Sequence, residues 1–153
     1  MLDGGCSWDS IQGSGPTGVE PDKGLRWRST REGLYDEEGR IPSVKIQGVP
    51  FSTVDWETIV PVEHPGKKGI ATWRTVEKGN VRARIVEYSP GYVADHWCSR
   101  GHVVFVLKGE LVTELKDGKR FVLKEGDSYQ VAEDEGNPHL SRTEEGARLF
   151  IVD

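Results

Sequence analysis

Pro90-Gly91-Tyr92-Val93-Ala94-Asp95-His96-Trp97-Cys98-Ser99-Arg100-Gly101-His102-Val103-Val104-Phe105-Val106-Leu107-Lys108-Gly109 is the stretch from which the rest of the chain is read. Residues 93–98 and 102–107 flank a Ser-Arg-Gly connection, the pattern of two strands that meet across a tight bend. Side chains alternate along an extended strand. His96 and Cys98 are therefore expected on one face, about 6.6 Å apart along the backbone, with Asp95 and Trp97 on the other. His102 opens the partner strand, where the bend brings it beside them.

Working outward, residues 111–116 and 120–124 flank Asp117-Gly118, a strong short-range hairpin signal. Residues 128–132, 139–143 and 147–152 follow, the last two joined through Glu144-Glu145-Gly146. On the other side, residues 81–88 place Val81, Ala83 and Ile85 on one face and Arg82 and Arg84 on the other. Runs at 70–76, 58–62 and 44–49 precede them. Short alternating segments at this spacing, with no ten-residue stretch of helical period, predict an all-β, single-domain barrel or sandwich over residues 41–153. Glycines 91, 109, 118, 126 and 146 are assigned to turns.

Residues 1–40 differ in kind. They hold eight of the 19 glycines and show neither alternation nor a helical stripe, so they read as a disordered or loosely attached tail. Trp8, Trp27 and Tyr35 are its apolar exceptions. The other 113 residues can bury about 65% of their unfolded surface, enough for one core without staples.

The net charge is −5, of which −3 falls in the first forty residues. Arg and Lys are scattered rather than clustered on one face, which argues against nucleic-acid binding. No apolar run approaches the roughly 20 residues of a membrane span. Met1-Leu2-Asp3-Gly4-Gly5-Cys6 has neither a basic nor an apolar signal region, and two cysteines cannot make a disulfide framework. The expected setting is cytoplasmic and reducing.

The chain has four histidines, His64, His96, His102 and His139. Three of them, together with Cys98, fall at strand starts or within strands: two ligands on one strand, one across a bend and one remote. This arrangement cages a metal. His64, in Glu63-His64-Pro65-Gly66, reads as a surface turn without function. Tyr88 and Tyr129 are pocket candidates, Trp97 is expected to face away from the cavity, and Trp56 and Trp73 are core or interface aromatics. Arg82 and Arg84 read as a solvated or dimer-facing stripe, the alternative in a barrel being that one of them points toward a carboxylate ligand.

The order of these residues resembles the cupin motifs. The first cupin motif runs Gly, His-x-His, three or four residues, Glu, six residues, Gly. Here it reads Gly91, His96-Trp97-Cys98, three residues, His102, six residues, Gly109. The second, a Gly-Asp turn followed by proline and histidine, is matched by Gly126-Asp127 and Pro138-His139, with Asp134-Glu135-Gly136-Asn137 lengthening its loop. The run Asp95-His96-Trp97-Cys98 is further similar to the DHCW-motif cupin-fold proteins. That likeness extends from Pro50-Phe51 through Thr53-Val54-Asp55-Trp56 to the terminal Leu149-Phe150-Ile151-Val152-Asp153. The resemblance implies a double-stranded β-helix, a jelly-roll barrel, holding one metal on His96, Cys98, His102 and His139, in a homodimer. Cys98 replaces the usual second histidine and His102 the usual glutamate. This softer set favours zinc, iron, nickel or copper over manganese, magnesium or calcium, with zinc or iron expected.

Two functions follow. In one, His96, His102 and His139 hold the metal, Cys98 ligates weakly or stands beside it, an open position remains, and the protein is a metal-dependent enzyme, an oxidoreductase, isomerase or lyase, acting on a small molecule. In the other, all four residues close a structural site and the protein is a small-ligand binding or sensing module. No nucleophile–base pair, phosphate loop or dinucleotide fingerprint competes with them.

Overall fold

The computed structural model describes residues 45–133 and 136–153. The tail expected over 1–40 lies outside the described residues, as do Asp134 and Glu135 of the lengthened loop. Eight strands follow in order: β1 (Val62–Pro65), β2 (Ile70–Lys78), β3 (Val81–Tyr88), β4 (His102–Leu115), β5 (Arg120–Lys124), β6 (Ser128–Val131), β7 (His139–Arg142) and β8 (Ala147–Val152). All pairings are antiparallel. Among the described residues the helical piece is one 3₁₀ turn, Trp56–Thr58, started by the Asp55 carboxylate accepting the Glu57 N–H at 3.1 Å. Among the described residues no helix is long and apolar enough to cross a membrane.

The architecture is the expected jelly-roll barrel, and β4 is its spine. The first half of β4 lies between β6 and β8 in a sheet that continues through β3 and β2 to β1; its second half lies between β5 and β7 in the other sheet. The sequence predicts two strands here, at 102–107 and 111–116. The structure instead has one continuous strand with a register shift between Val106 and Lys108. The shift changes which side chains face in. Val104 and Val106 are buried before it, Leu111 and Thr113 after it. An extra residue in one strand inverts the alternation in this way and bends the strand from one sheet to the next.

The core that results is apolar and drawn from both sheets: Val86, Val104, Val106, Leu111, Leu123, Ala147, Leu149 and Ile151. Just beyond the bulge, Gly109 has φ +82°, and a Cβ there would lie 2.4 Å from the Gly146 carbonyl oxygen. Gly109→Val is expected to cost about 2–4 kcal/mol, from the left-handed backbone plus the displaced neighbour. Urea denaturation checks this, and a cost below about 0.5 kcal/mol would show that β4 bends elsewhere.

Three predicted strands are not formed. Residues 45–49 carry no ladder and are exposed; Asn80 holds them instead, accepting the Gln47 N–H at 2.7 Å and donating to the Lys45 carbonyl at 2.8 Å. The run at 58–62 is split between the 3₁₀ turn and the start of β1. The run at 93–98 is reduced to isolated bridges at Val93 and Cys98, with bends at Asp95 and His96 between them.

Candidate metal centre

Cys98 and His139 face one another in an antiparallel bridge. The Cys98 N–H donates to the His139 carbonyl at 2.8 Å, and the His139 N–H donates to the Cys98 carbonyl at 2.9 Å. Residues opposite each other in such a bridge point to the same side, so both side chains turn into the barrel. His102 is in phase with the inward Val104 on β4 and reaches the same place. The donor atoms of Cys98, His102 and His139 all lie within 4.8 Å of one another. His139 Nε2 is 2.9 Å from His102 Nε2, whose other neighbour is the Tyr129 hydroxyl at 3.1 Å.

The fourth expected ligand, His96, is not brought to this cluster. The bends at Asp95 and His96 interrupt the alternation that would have put His96 beside Cys98. Its side chain is 72% exposed, with Nδ1 on Asp95 Oδ1 at 2.6 Å, and both residues stand on the cavity lining near its mouth. Asp95 therefore does not face away, as a regular strand would have required.

Electrostatics prepare the cluster for a cation. Burial, reinforced by His139, pushes the His102 pKa down to about 4, so this imidazole is neutral. The hydrogen bond from His139 pulls the Cys98 thiol below its ordinary range. Burial opposes charge on His139, but its hydrogen bonds to Cys98 and to Asn137 outweigh this and raise its pKa. The Nδ1–H of His139 donates to the Asn137 carbonyl at 3.2 Å, which fixes the tautomer and directs Nε2 inward. A neutral imidazole, a thiol whose pKa is lowered and a second imidazole form a donor set that a divalent transition metal fits.

His102 also predicts a pH dependence. A histidine whose folded pKa lies below its unfolded value of about 6.5 takes up a proton on unfolding throughout the window between. Folding stability of the chelator-treated, metal-free protein should therefore fall as pH drops from about 6.5 to about 4. In His102→Gln the slope of unfolding free energy against pH over this window should shrink; an unchanged slope would remove the assignment.

The cluster opens onto a cavity of about 420 Å³. Its walls include several residues given other places by the sequence reading. His64 is not a surface turn: it sits on edge strand β1 with its ring 3.9 Å from that of Trp73. Tyr88 and Tyr129 line the cavity as expected. Arg82 and Arg84 are not a solvated stripe but line the same cavity, and Arg84 is 7% exposed. The 81–88 alternation is as predicted, but the arginine face is the inner one. Asp153, which the sequence reading gave no role, joins them. Its parity with the inward Leu149 and Ile151 was the available signal.

No protein-family model and no curated protein matches the chain. Solved structures do. The polyketide cyclase RemF from Streptomyces resistomycificus is similar at 22% identity with TM-score 0.57, over 67% of this chain and 78% of that one. An RmlC-like cupin from Shewanella frigidimarina is similar at 20% identity and TM-score 0.54, over 67% and 89%. A structure of Fe(II)-HppE with an alternative substrate is similar at 17% identity and TM-score 0.54, over 69% and 60%. At these identities the likeness is one of fold, and the fold is that of the cupins.

Proposed function

We propose that this protein is a metal-binding cupin in which Cys98, His102 and His139 hold one zinc or iron ion facing a small-molecule cavity, and that it is a metal-dependent enzyme of the oxidoreductase, isomerase or lyase kind. The observation that carries this is the convergence of three donor atoms within 4.8 Å at the wall of a cavity. The Fe(II) named for one cupin-fold neighbour supports the iron alternative by analogy of fold alone. The bound metal would supply a Lewis-acid or redox centre. The chain's own part is to lower the pKa of the Cys98 thiol through His139 and to orient His139 through Asn137. Tyr129, whose hydroxyl burial keeps protonated, adds a hydrogen-bond donor beside His102.

An open site is favoured over the closed structural one, because the His96 imidazole is held on Asp95 at the rim. Metal content of untagged protein, measured by inductively coupled plasma mass spectrometry, tests this. Near-stoichiometric zinc or iron is expected in the wild type and in His96→Ala. If His96→Ala loses the metal completely, the site has four protein ligands and the open-site reading fails. The homodimer belongs to the same proposal. Val103, Phe105 and Leu107 occupy successive outward positions on β4 and are 44%, 40% and 38% exposed; a monomer in sedimentation equilibrium would remove it.

A further inference from the structure

A second group of buried charges shares the cavity. Arg82 and Asp153 are joined through their backbones, N–H to carbonyl at 2.7 and 2.9 Å, as the β3–β8 ladder continues past Val152. The Asp153 carboxylate, 5% exposed, accepts Arg82 Nε at 2.9 Å, Arg82 Nη2, and Arg84 Nη2 at 2.9 Å. Two guanidiniums thus share one side-chain carboxylate. Arg84 carries most of the cost, since its side chain is 8% exposed. It lies 4.6 Å above the Trp73 ring, and among the described residues its Nε meets no acceptor. Burial lowers the Arg84 pKa despite Asp153, as expected of a cation with incomplete compensation. At the rim, exposed Arg100 and Asp95 are of opposite sign.

A buried guanidinium with unmatched N–H groups costs several kcal/mol unless something completes its shell. The walls around it are aromatic: Trp73, Tyr88, Tyr92 and Tyr129. Arg84 and Asp153 line the same cavity as Cys98, His102 and His139, so this group and the donor cluster face the same space.

We infer that Arg84 is the anchor for the carboxylate of a small organic acid, whose apolar body lies along the aromatic walls and whose far end meets the Cys98–His102–His139 centre. The first half stands on the Arg84 geometry; the second rests on the metal-centre reading above. The two oxygens of a carboxylate suit the planar edge of the buried Arg84 guanidinium better than a phosphate dianion does. Asp153 and Arg82 are positioning residues: they hold the Arg84 fork in place.

The test uses the full-length protein, metal-loaded and chelator-treated, with three probes: benzoate, its neutral isostere benzamide, and inorganic phosphate. By isothermal titration calorimetry, benzoate is expected to bind wild-type protein at least about tenfold more tightly than benzamide does, and phosphate to bind more weakly than benzoate. Arg84→Gln should weaken benzoate about tenfold or more and leave benzamide unchanged, with metal content unaltered. Arg84→Gln/Asp153→Asn removes both charges together and serves if the single variant does not fold. Equal binding of benzoate and benzamide by wild type needs no variant and overturns the inference. So does phosphate binding more tightly than benzoate, or benzoate affinity that is unchanged without Arg84. Arg84-dependent benzoate binding in protein that never takes up metal would leave the anchor standing and remove the metal centre instead.

Discussion

Replacing His139 by alanine is expected to abolish stoichiometric metal binding and to lower stability by about 4 kcal/mol, a fall in Tm on the order of 15 °C. Two effects add. The ring is 2% exposed and packs against His102 and Tyr129, so its removal leaves a cavity at the junction of β7 and β4. The second effect is linkage: metal at a hundred times its dissociation constant stabilises the folded state by about 2.7 kcal/mol, and the variant loses this. Chelator separates the two. It should lower the Tm of the wild type toward that of the variant and leave the variant where it is. A variant that retains stoichiometric metal would sink the assignment of His139 as ligand.

The second large effect is expected at Asp153. Asp153→Ala takes from Arg84 its one ion-pair partner among the described residues and strands a buried guanidinium, at a cost of about 3–5 kcal/mol. Arg82, 25% exposed, has solvent to fall back on; Arg84 does not. The double variant Asp153→Ala/Arg84→Met should recover much of the loss, because the apolar side chain needs no counter-charge and still covers Trp73. Guanidinium denaturation of the two single variants and the double one gives the coupling. A single-variant cost below about 1 kcal/mol would show that water reaches Arg84 and that its charge is not confined.

Both effects turn on residues whose place the sequence discloses unequally. Three strands, Val81–Tyr88, Arg120–Lys124 and Ala147–Val152, have the limits that alternation and turn chemistry predict. They are set by interactions a few residues apart. Asp117-Gly118 closes the β4–β5 hairpin with Gly118 at φ +89°, where a residue with a Cβ is strained. Cys98, His102 and His139 are likewise legible, because their order and spacing follow the cupin motifs and because His139 and His102 sit in phase on regular strands.

What local pattern leaves open is which face of a strand is inside. In β3 the alternation separates Arg82 and Arg84 from Ala83 and Ile85, and polarity alone assigns the arginines to solvent. The barrel reverses this because its interior here is a polar-lined cavity, while the outer face has its own apolar cover: Ile85 lies beside Phe150 in the ladder, and Trp56 packs edge-on against Phe150 at 6.0 Å. A burial preference identifies the inner face only where just one face is covered. His64 was misplaced for a related reason. A proline and glycine after it read as a turn, yet Pro65 closes an edge strand, the one place in a sheet where a proline costs no ladder bond.

The sequence by itself determined the all-β class and the order of the motif residues, among them Cys98, His102 and His139, whose donor atoms converge, because these depend on period, turn chemistry and residue type. Only the tertiary structure decided that the bends at Asp95 and His96 carry His96 to the rim, and that Arg84 and Asp153 meet inside the barrel. Those outcomes depend on pairings between residues about forty to seventy positions apart, Cys98 with His139 and Arg82 with Asp153, and no local pattern encodes a contact at that range.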